Sequence, residues 1–449
     1  MEFTYARKVA ATAALGGLLF GYDTGVMSGA LLFITPEFGM SPAQEGFVTS
    51  MLLVGAAVGA ISGGAVADAL GRRRTLITAG ALFVAGSLWC ALAASVGSLA
   101  AARTLLGLAV GAVSIVTPMY ISEIVPSSIR GQLVSLNTLM IVIGQLAAYV
   151  VNSLLAPLEN WRLMLGAAAL PGLALAAGMA FVPETPLWLA RRGHDEKAAA
   201  IAAKAGIDAD ELETARAEAE DNPRVSAQWR ALAEARWLQV TVVFAALLGV
   251  TQQITGVNAI VYFAPTMMNK VGLSTANAVY TSIVIGLVSV AACWVGLKLV
   301  DRIGRRRLLL FGLCGNIVFL LALSLTYRAA ESNTSLAWVA LACMAGFIAS
   351  QQAAVSPTTW LLISELVPPQ IRGVGMGLAG LALWAMNWVV AQFFLPLVNA
   401  LSATTTFVLF AVLGVIAAVF VARQIPETMG KSLDTVADEM ERRYTRGRG

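Results

Sequence analysis

The sequence predicts an all-α membrane protein with twelve transmembrane helices in two parallel six-helix repeats. First, 58% of the residues are hydrophobic and only 12% are charged, whereas soluble globular domains carry about 25% charged residues. Second, apolar stretches long enough to cross a bilayer as a helix recur along the whole chain. Third, motifs of the first half return in the second half. Helices are favoured over a β-barrel because the short alternating segments of a barrel strand are missing from the sequence.

The apolar stretches place the spans in order, and one polar segment interrupts them. Residues 186–235 are rich in Ala, Glu, Lys and Arg, which favour short surface helices. The expected organisation is a first bundle at 1–185, a helical linker at 186–235, a second bundle at 236–424 and a tail at 425–449. The predicted spans are 9–33, 45–69, 75–96, 100–121, 132–155, 161–182, 236–266, 276–299, 307–327, 335–363, 374–398 and 404–423.

The basic residues predict the orientation in the membrane. Twelve spans put both termini on one side, and that side receives 25 of the 30 Lys and Arg residues. The opposite side receives only Arg162, Lys270 and Arg328. Because cytoplasmic loops carry an excess of Lys and Arg, we expect a plasma-membrane protein with cytoplasmic termini and linker.

Several functional classes lack their sequence features. The four cysteines fall within apolar runs without metal-ligand spacing, and the one histidine, His194, lies in a polar loop. We find no nucleophile–base constellation and no phosphate-binding loop motif. The sequence therefore argues against an enzyme, an ATP-driven pump and a nucleic-acid-binding protein. No cofactor or metal is expected, and we expect a monomer in the lipid bilayer.

Three pairs of motifs indicate the internal duplication. "ISEIVPSSIRG" (121–131) returns as "ISELVPPQIRG" (363–373), and "ADALGRRRTL" (67–76) returns as "VDRIGRRRLL" (300–309). "VPETPLWL" also returns as "IPETMGKSL" at nearly the same offset. A repeat with an even number of spans gives parallel halves, and two such bundles are typical of transporters that work by alternating access.

The repeated motifs place acids and bases at matching positions in both halves. Such charges can form ion-pair networks that close the cytoplasmic side, or they can simply anchor helix ends; their repetition favours a gating network. Single surface pairs contribute only about 0–1 kcal/mol, which suits a contact that must open. The predicted network comprises Asp68, Arg72, Arg73, Glu123, Arg130, Glu184, Asp301, Arg305, Arg306, Glu365, Arg372 and Glu427.

The motifs together resemble a known family over nearly the whole chain. Gly64–Arg73 is similar to the loop signature of the major facilitator superfamily. Within that superfamily the chain resembles the sugar porter family, in particular its bacterial monosaccharide:proton symporters. The motifs that carry this resemblance are "GGLLFGYD", "PMYISE", "GQL", "PETPLWL" (183–189), "QQITGVNAIVYF" (252–263) and "PETMGKSL" (426–433).

The resemblance implies the major facilitator fold, monosaccharide transport and a set of sugar-binding residues. Carboxamides suit sugar hydroxyls because one flat group offers two donors and an acceptor. A tryptophan offers an apolar face and an N–H donor. By motif position the implied sugar contacts are Phe20, Gln145, Gln252, Gln253, Asn258, Tyr262, Trp360, Trp384 and Asn387.

The chain departs from the family pattern at several positions near these contacts. Leu383 and Ser289 stand where relatives often carry a carboxamide, and Ser356 stands where they usually carry glycine. Asn387, one helical turn beyond Trp384, is a candidate to compensate for the lost amides.

Asp23 is an acid in the middle of the first span, where a charge costs at least about 2.5–3.5 kcal/mol. Arg103 is the only basic residue well inside a span of the same half, and in the superfamily these two helices are neighbours. We therefore predict an Asp23–Arg103 pair that breaks when Asp23 is protonated, and the resemblance points to sugar–proton symport. A static ion pair, a facilitative uniporter and a polyol or inositol symporter remain the alternatives.

Overall fold

The computed structural model describes residues 2–221 and 225–445, and their regular structure is entirely helical. The chain divides into two compact units, Met1–Asp221 and Asn222–Gly449. In the first unit the α-helices are α1 (Glu2–Ala13), α2 (Leu15–Phe38), α3 (Pro42–Leu70), α4 (Arg72–Leu92), α5 (Val96–Ile124), α6 (Ser127–Leu155), α7 (Trp161–Ala167), α8 (Ala169–Ala180), α9 (Pro186–Arg191), α10 (Asp195–Ala205) and α11 (Ala209–Asp221).

The second unit repeats this succession of long helices. Its α-helices are α12 (Val225–Glu234), α13 (Arg236–Ile254), α14 (Val257–Lys270), α15 (Thr275–Ile303), α16 (Arg305–Ser332), α17 (Ala337–Ser350), α18 (Ser356–Leu366), α19 (Arg372–Leu401), α20 (Ala403–Gln424) and α21 (Leu433–Thr445). A π-helical turn at Gln351–Val355 joins α17 to α18. Short 3-10 turns lie at Ala156–Leu158, Thr334–Leu336 and Pro369–Ile371.

Twelve segments of the described residues are long and apolar enough to cross a membrane, so the predicted number of spans is confirmed. The first, sixth, seventh and tenth of them each contain an interruption, since each combines two of the helices above. The polar segment after the sixth span contains the short helices α9 to α12, as the composition predicts.

In the first unit, α2 lies directly against the backbone of α6. Glycines occur at every fourth position of α2 from Gly17 to Gly29, on the face that meets α6. A Cβ atom on Gly21 would overlap the carbonyl oxygen of Ile141. Small residues at this spacing let two membrane helices approach closely. Asp23 lies two residues after Gly21, so it projects from the other side of α2, toward α5.

The helix α5 is fixed by a similar contact with α3. A Cβ atom on Gly55 of α3 or on Gly107 of α5 would overlap a backbone carbonyl oxygen of the other helix. Glycine on both helices therefore allows backbone-to-backbone packing. This packing holds Arg103, four residues before Gly107, in a defined position opposite α2.

In the second unit, α13 and α14 are two parts of one broken span. The break falls at Thr255 and Gly256, and Gly256 adopts a φ of +84° that favours glycine. A Cβ atom at Gly256 would also lie 2.7 Å from the ring of Phe410. The glycine and amide content of the segment indicates from the sequence that the helix is broken, but not at which residue.

Candidate functional sites

Asp23 and Arg103 form a buried ion pair in the first unit. The Nη1 group of Arg103 donates to Oδ1 of Asp23 at 2.8 Å, and both side chains are 0% exposed. A buried carboxylate and guanidinium stabilise each other only if the geometry is good and the remaining hydrogen-bonding atoms are satisfied. The structure thus brings together the two residues whose pairing is expected from the sequence.

This ion pair is only partly satisfied. Oδ2 of Asp23 and both Nε and Nη2 of Arg103 are buried and have no hydrogen-bond partner among the described residues. The hydroxyl of the adjacent Tyr22 is also buried and has no hydrogen-bond partner among the described residues. Buried polar groups without partners are costly, so the charged state of this pair is held less firmly than in a fully bonded network. Such a pair is suited to a proton-dependent change of state.

The helix that carries Asp23 also contacts Gln145 of α6, one of the two residues predicted to bind sugar in the first unit. A Cβ atom on Gly25 would lie 2.8 Å from the carbonyl oxygen of Gln145 on α6. Two turns further along α6, Nδ2 of Asn152 donates to the carbonyl oxygen of Val26 at 2.9 Å. These contacts leave no room for a larger side chain between α2 and α6 beside Gln145.

In the second unit, Asn258 links two of the other predicted amide side chains. Nδ2 of Asn258 donates to Oε1 of Gln253 at 2.7 Å and to Oδ1 of Asn387 at 2.8 Å. Gln253 precedes the helix break, Asn258 follows it, and Asn387 comes from α19. The structure therefore places Asn387 beside the amides of the seventh span, at the position where the sequence suggests compensation for Leu383.

The neighbouring Gln252 has an unmet hydrogen-bonding atom. Its Oε1 is buried and has no partner among the described residues. A ligand hydroxyl can donate to this oxygen. Leu383 of α19 lies against Gly249 of α13. A Cβ atom on Gly249 would be 3.2 Å from the Cβ atom of Leu383.

The other predicted contacts differ in their exposure. Tyr262 and Trp384 are buried in the second unit, whereas Trp360 is 39% exposed and lies beside Gly380. Phe20 lies on α2, one helical turn before Thr24, whose hydroxyl donates to the carbonyl of Phe20. The predicted set is thus divided between the units, with Phe20 and Gln145 in the first and the rest in the second.

The repeated charged motif of the first unit organises the start of α4. The Nε group of Arg72 donates to both carboxylate oxygens of Glu123, and Nη1 of Arg72 lies 2.8 Å from Asp68. The carboxylate of Glu184 accepts the backbone N–H of Arg73 at 3.1 Å, as an anion does at a helix N-terminus. The Arg73 side chain donates to the backbone carbonyl oxygens of Met179 and Ala180 at the end of α8.

The second unit repeats this arrangement at the start of α16. Arg305 lies 3.2 Å from Asp301 and 3.4 Å from Glu365, and its backbone N–H donates to Glu427 at 2.9 Å. The Arg306 side chain donates to the backbone carbonyl oxygen of Ala422 at the end of α20. A threonine hydroxyl also donates to the matching glutamate in each unit, Thr185 to Glu123 and Thr428 to Glu365.

Arg130 and Arg372 stand at matching positions of the repeated motif, but their partners differ. Arg130 lies 3.0 Å from Glu211 of α11, a residue that was not singled out from the sequence. Nη2 of Arg372 donates to the carbonyl oxygen of Ser364 at 3.3 Å. Each ion pair and hydrogen bond given above for the predicted network joins two residues of the same unit. These contacts therefore hold helix ends together within that unit.

A buried polar pair in the second unit was missed by sequence reasoning. Nδ2 of Asn316 on α16 donates to Oε1 of Gln351 at 2.6 Å, and Nε2 of Gln351 donates to the carbonyl oxygen of Gln252 at 3.0 Å. Both side chains are 0% exposed. The sequence does carry a signal for this pair. Asn316 is a lone amide in the apolar ninth span, and Gln351 is one of two adjacent glutamines in the tenth.

The repeated helical units, the twelve spans and the buried polar sites define a membrane transporter of the major facilitator fold. The chain belongs to the sugar (and other) transporter family, whose model matches residues 9–440. The family resemblance stated from the motifs is therefore confirmed, and so is the expectation that the protein is a transporter and not an enzyme.

Curated relatives match nearly the whole chain. The major myo-inositol transporter IolT of Bacillus subtilis is 37% identical over 97% of this chain and 94% of its own length. The glucose transporter GlcP of Staphylococcus epidermidis is 37% identical over 96% of both chains. The galactose-proton symporter of Escherichia coli is 34% identical over 97% of this chain and 94% of its own length.

A solved structure with the same fold is that of the xylose transporter XylE from Escherichia coli. It is 28% identical, covers 96% of this chain and 100% of its own, and superposes with a TM-score of 0.83. Another structure of XylE, described as a proton:xylose symporter bound to 6-bromo-6-deoxy-D-glucose, matches with a TM-score of 0.78, covering 98% of this chain and 100% of its own.

Proposed function

We propose that this chain is a proton-coupled monosaccharide symporter of the plasma membrane, with cytoplasmic termini, that works by alternating access. The observation that carries the proposal is the wholly buried and partly satisfied Asp23–Arg103 pair. Ionisable residues inside membrane spans usually mark ion pathways. The relatives that are named as galactose-proton and xylose–proton symporters support both the sugar and the proton.

Asp23 carries the coupled proton. Deprotonated, it accepts the 2.8 Å hydrogen bond from Arg103 and holds α2 against α5. Protonated, it loses its charge, and the attraction that links the two helices weakens. Since α2 packs tightly on α6, its release changes the position of Gln145.

The carboxamide side chains bind the sugar. Gln252 presents an unmet amide oxygen, and the Gln253–Asn258–Asn387 cluster presents further donors and acceptors. The other proposed sugar contacts are Phe20 and Gln145 in the first unit and Tyr262, Trp360 and Trp384 in the second. Neutral partners suit a transported sugar, because each bond is modest in strength and its exchange with water costs little. The charged motifs at the starts of α4 and α16 act as the cytoplasmic gating network.

Proteoliposomes containing the purified protein and a pH-sensitive dye test this proposal. A potassium clamp holds the membrane potential while glucose, galactose, mannose, xylose, fructose and myo-inositol are added in turn. We expect at least one monosaccharide to enter together with protons. Sugar entry without proton entry would show a facilitative uniporter instead.

A polyol or inositol symporter is the second candidate. It is favoured by the 37% identity to a major myo-inositol transporter, which equals the identity to the glucose transporter. In the same experiment, proton entry with myo-inositol and with none of the monosaccharides would establish this second candidate.

A further inference from the structure

The break in the seventh span leaves the backbone carbonyl of Gln252 without its helical partner. In an uninterrupted helix the carbonyl oxygen of Gln252 accepts the N–H of residue 256. Here the N–H of Gly256 donates to the carbonyl oxygen of Gln253 at 2.9 Å. The carbonyl of Gln252 therefore needs another donor, because an unsatisfied backbone group at membrane depth is costly.

Gln351 supplies that donor. Its Nε2 group donates to the carbonyl oxygen of Gln252 at 3.0 Å in a fully buried position. Asn316 fixes the orientation of the Gln351 amide by donating to its Oε1 at 2.6 Å. The same Nδ2 group of Asn316 lies 3.5 Å from the hydroxyl oxygen of Thr255, the residue at the break.

Gln351 also begins the π-helical turn of the tenth span. This turn runs from Gln351 to Val355 and leads directly into α18, which carries Trp360. One side chain therefore joins two irregular segments: the helix break lies between Gln253 and Asn258 of the proposed sugar site, and the π-helical turn leads to Trp360. Gln351 does this by a hydrogen bond to the backbone of Gln252 rather than to its side-chain amide.

We propose that Gln351, oriented by Asn316, is a positioning residue that holds the α13–α14 break and thereby sets the orientation of the Gln252 and Gln253 amides toward the sugar. This inference rests on the proposed function for the identity of the ligand. The hydrogen bonds that define the positioning role do not depend on it.

Gln351→Met tests the role because methionine has a similar length and offers no donor to the Gln252 carbonyl. We expect the KM for sugar uptake to rise about tenfold while the maximal rate stays within about twofold, the size expected for one orphaned buried acceptor. Asn316→Asp should act in the same direction, since it replaces the donor to Gln351 with a second acceptor. Gln352→Met, the same change at the next residue of the turn, is the matched control and should leave KM nearly unchanged.

Hydrogen–deuterium exchange of the unliganded protein gives a readout that does not require transport. Peptides covering residues 252–260 should exchange faster in Gln351→Met and as in the wild type in Gln352→Met. Unchanged exchange and unchanged KM in Gln351→Met would overturn the inference, as would equal effects of the two variants. A wild-type protein that transports no sugar would overturn the proposed function alone, because the exchange data still decide the positioning role.

Discussion

Asp23 of α2 and Arg103 of α5 are joined by a single 2.8 Å hydrogen bond, with both side chains completely buried. Three further polar atoms of this pair have no partner among the described residues. The pair thus combines strong mutual attraction with incomplete satisfaction. This combination allows the loss of one charge to change how α2 and α5 are held together.

Removal of one partner should cost more than removal of both. Asp23→Leu leaves the Arg103 guanidinium buried and unpaired, and arginine cannot shed its charge. We expect a loss of about 3–5 kcal/mol in the free energy of unfolding. The double variant Asp23→Leu/Arg103→Leu should recover most of this loss. Thermal unfolding in detergent measures all three proteins, and a double variant as unstable as Asp23→Leu would contradict the account.

The close approach of α2 and α6 should not tolerate a larger residue at Gly21. An alanine Cβ would overlap the carbonyl oxygen of Ile141, so the two helices must separate. Overpacking of this kind costs typically about 1–3 kcal/mol, and here a backbone group cannot move aside, so we expect a loss at or above that range. Unfolding midpoints measure the effect. Gly97→Ala, where a Cβ meets nothing within 4 Å, is the control, and equal midpoints for the two variants would contradict the packing argument.

Asn258 and Asn387 should act as one unit in sugar binding. Because Asn258 donates directly to Asn387, replacement of either by alanine disturbs the same amide cluster. We expect each single variant to raise KM about tenfold and the double variant to raise it by less than the product of the two, as for residues in contact. Uptake kinetics measure this coupling. Asn269→Ala serves as control, since Asn269 donates to the carbonyl of Leu273 at the other end of α14. Fully multiplicative effects would show that the two amides act independently.

Glu184 and Glu427 should have equal importance for stability in their respective units. Each carboxylate accepts backbone N–H groups at the start of a long helix, α4 or α16. Replacement by glutamine removes the negative charge at the positive end of the helix, so we expect a loss of about 1–2 kcal/mol in either variant. Glu213→Gln, at an exposed position of α11, should change the unfolding midpoint little. A response in only one of the two repeats would contradict the structural equivalence.

The span pattern and the pairing of Asp23 with Arg103 could be predicted from the sequence. Spans are predictable because the bilayer fixes their length and apolar character. The pair is predictable because Arg103 is the only basic residue well inside a span of the first half, and a buried carboxylate needs a partner. The helix contact itself came from the family resemblance.

The contacts of the second unit were less predictable. Gln351 is needed only because the helix breaks at Gly256 and leaves the Gln252 carbonyl without its helical donor, a consequence of three-dimensional geometry.

Some contacts of the charged motifs were also not predictable. In the first unit the partner of Arg130 is Glu211, 81 residues away in a linker helix, and no local pattern indicates it. Glutamates 184 and 427 were predicted as gating charges, whereas their hydrogen bonds to backbone N–H groups depend on how the chain folds back after α8 and α20.

Proton entry driven by sugar in Asp23→Asn proteoliposomes is the measurement that tests the central claim most directly. Asparagine keeps an oxygen acceptor for Arg103 but cannot carry a proton. Glu37→Gln provides the matched control, because Glu37 is an acid on the same helix whose side chain is 44% exposed and paired with Arg162 at 2.7 Å. We predict that Asp23→Asn still exchanges sugar across the membrane but moves no protons with it, while Glu37→Gln remains coupled. Sugar-driven proton entry that persists in Asp23→Asn would contradict the assignment of Asp23 as the proton carrier.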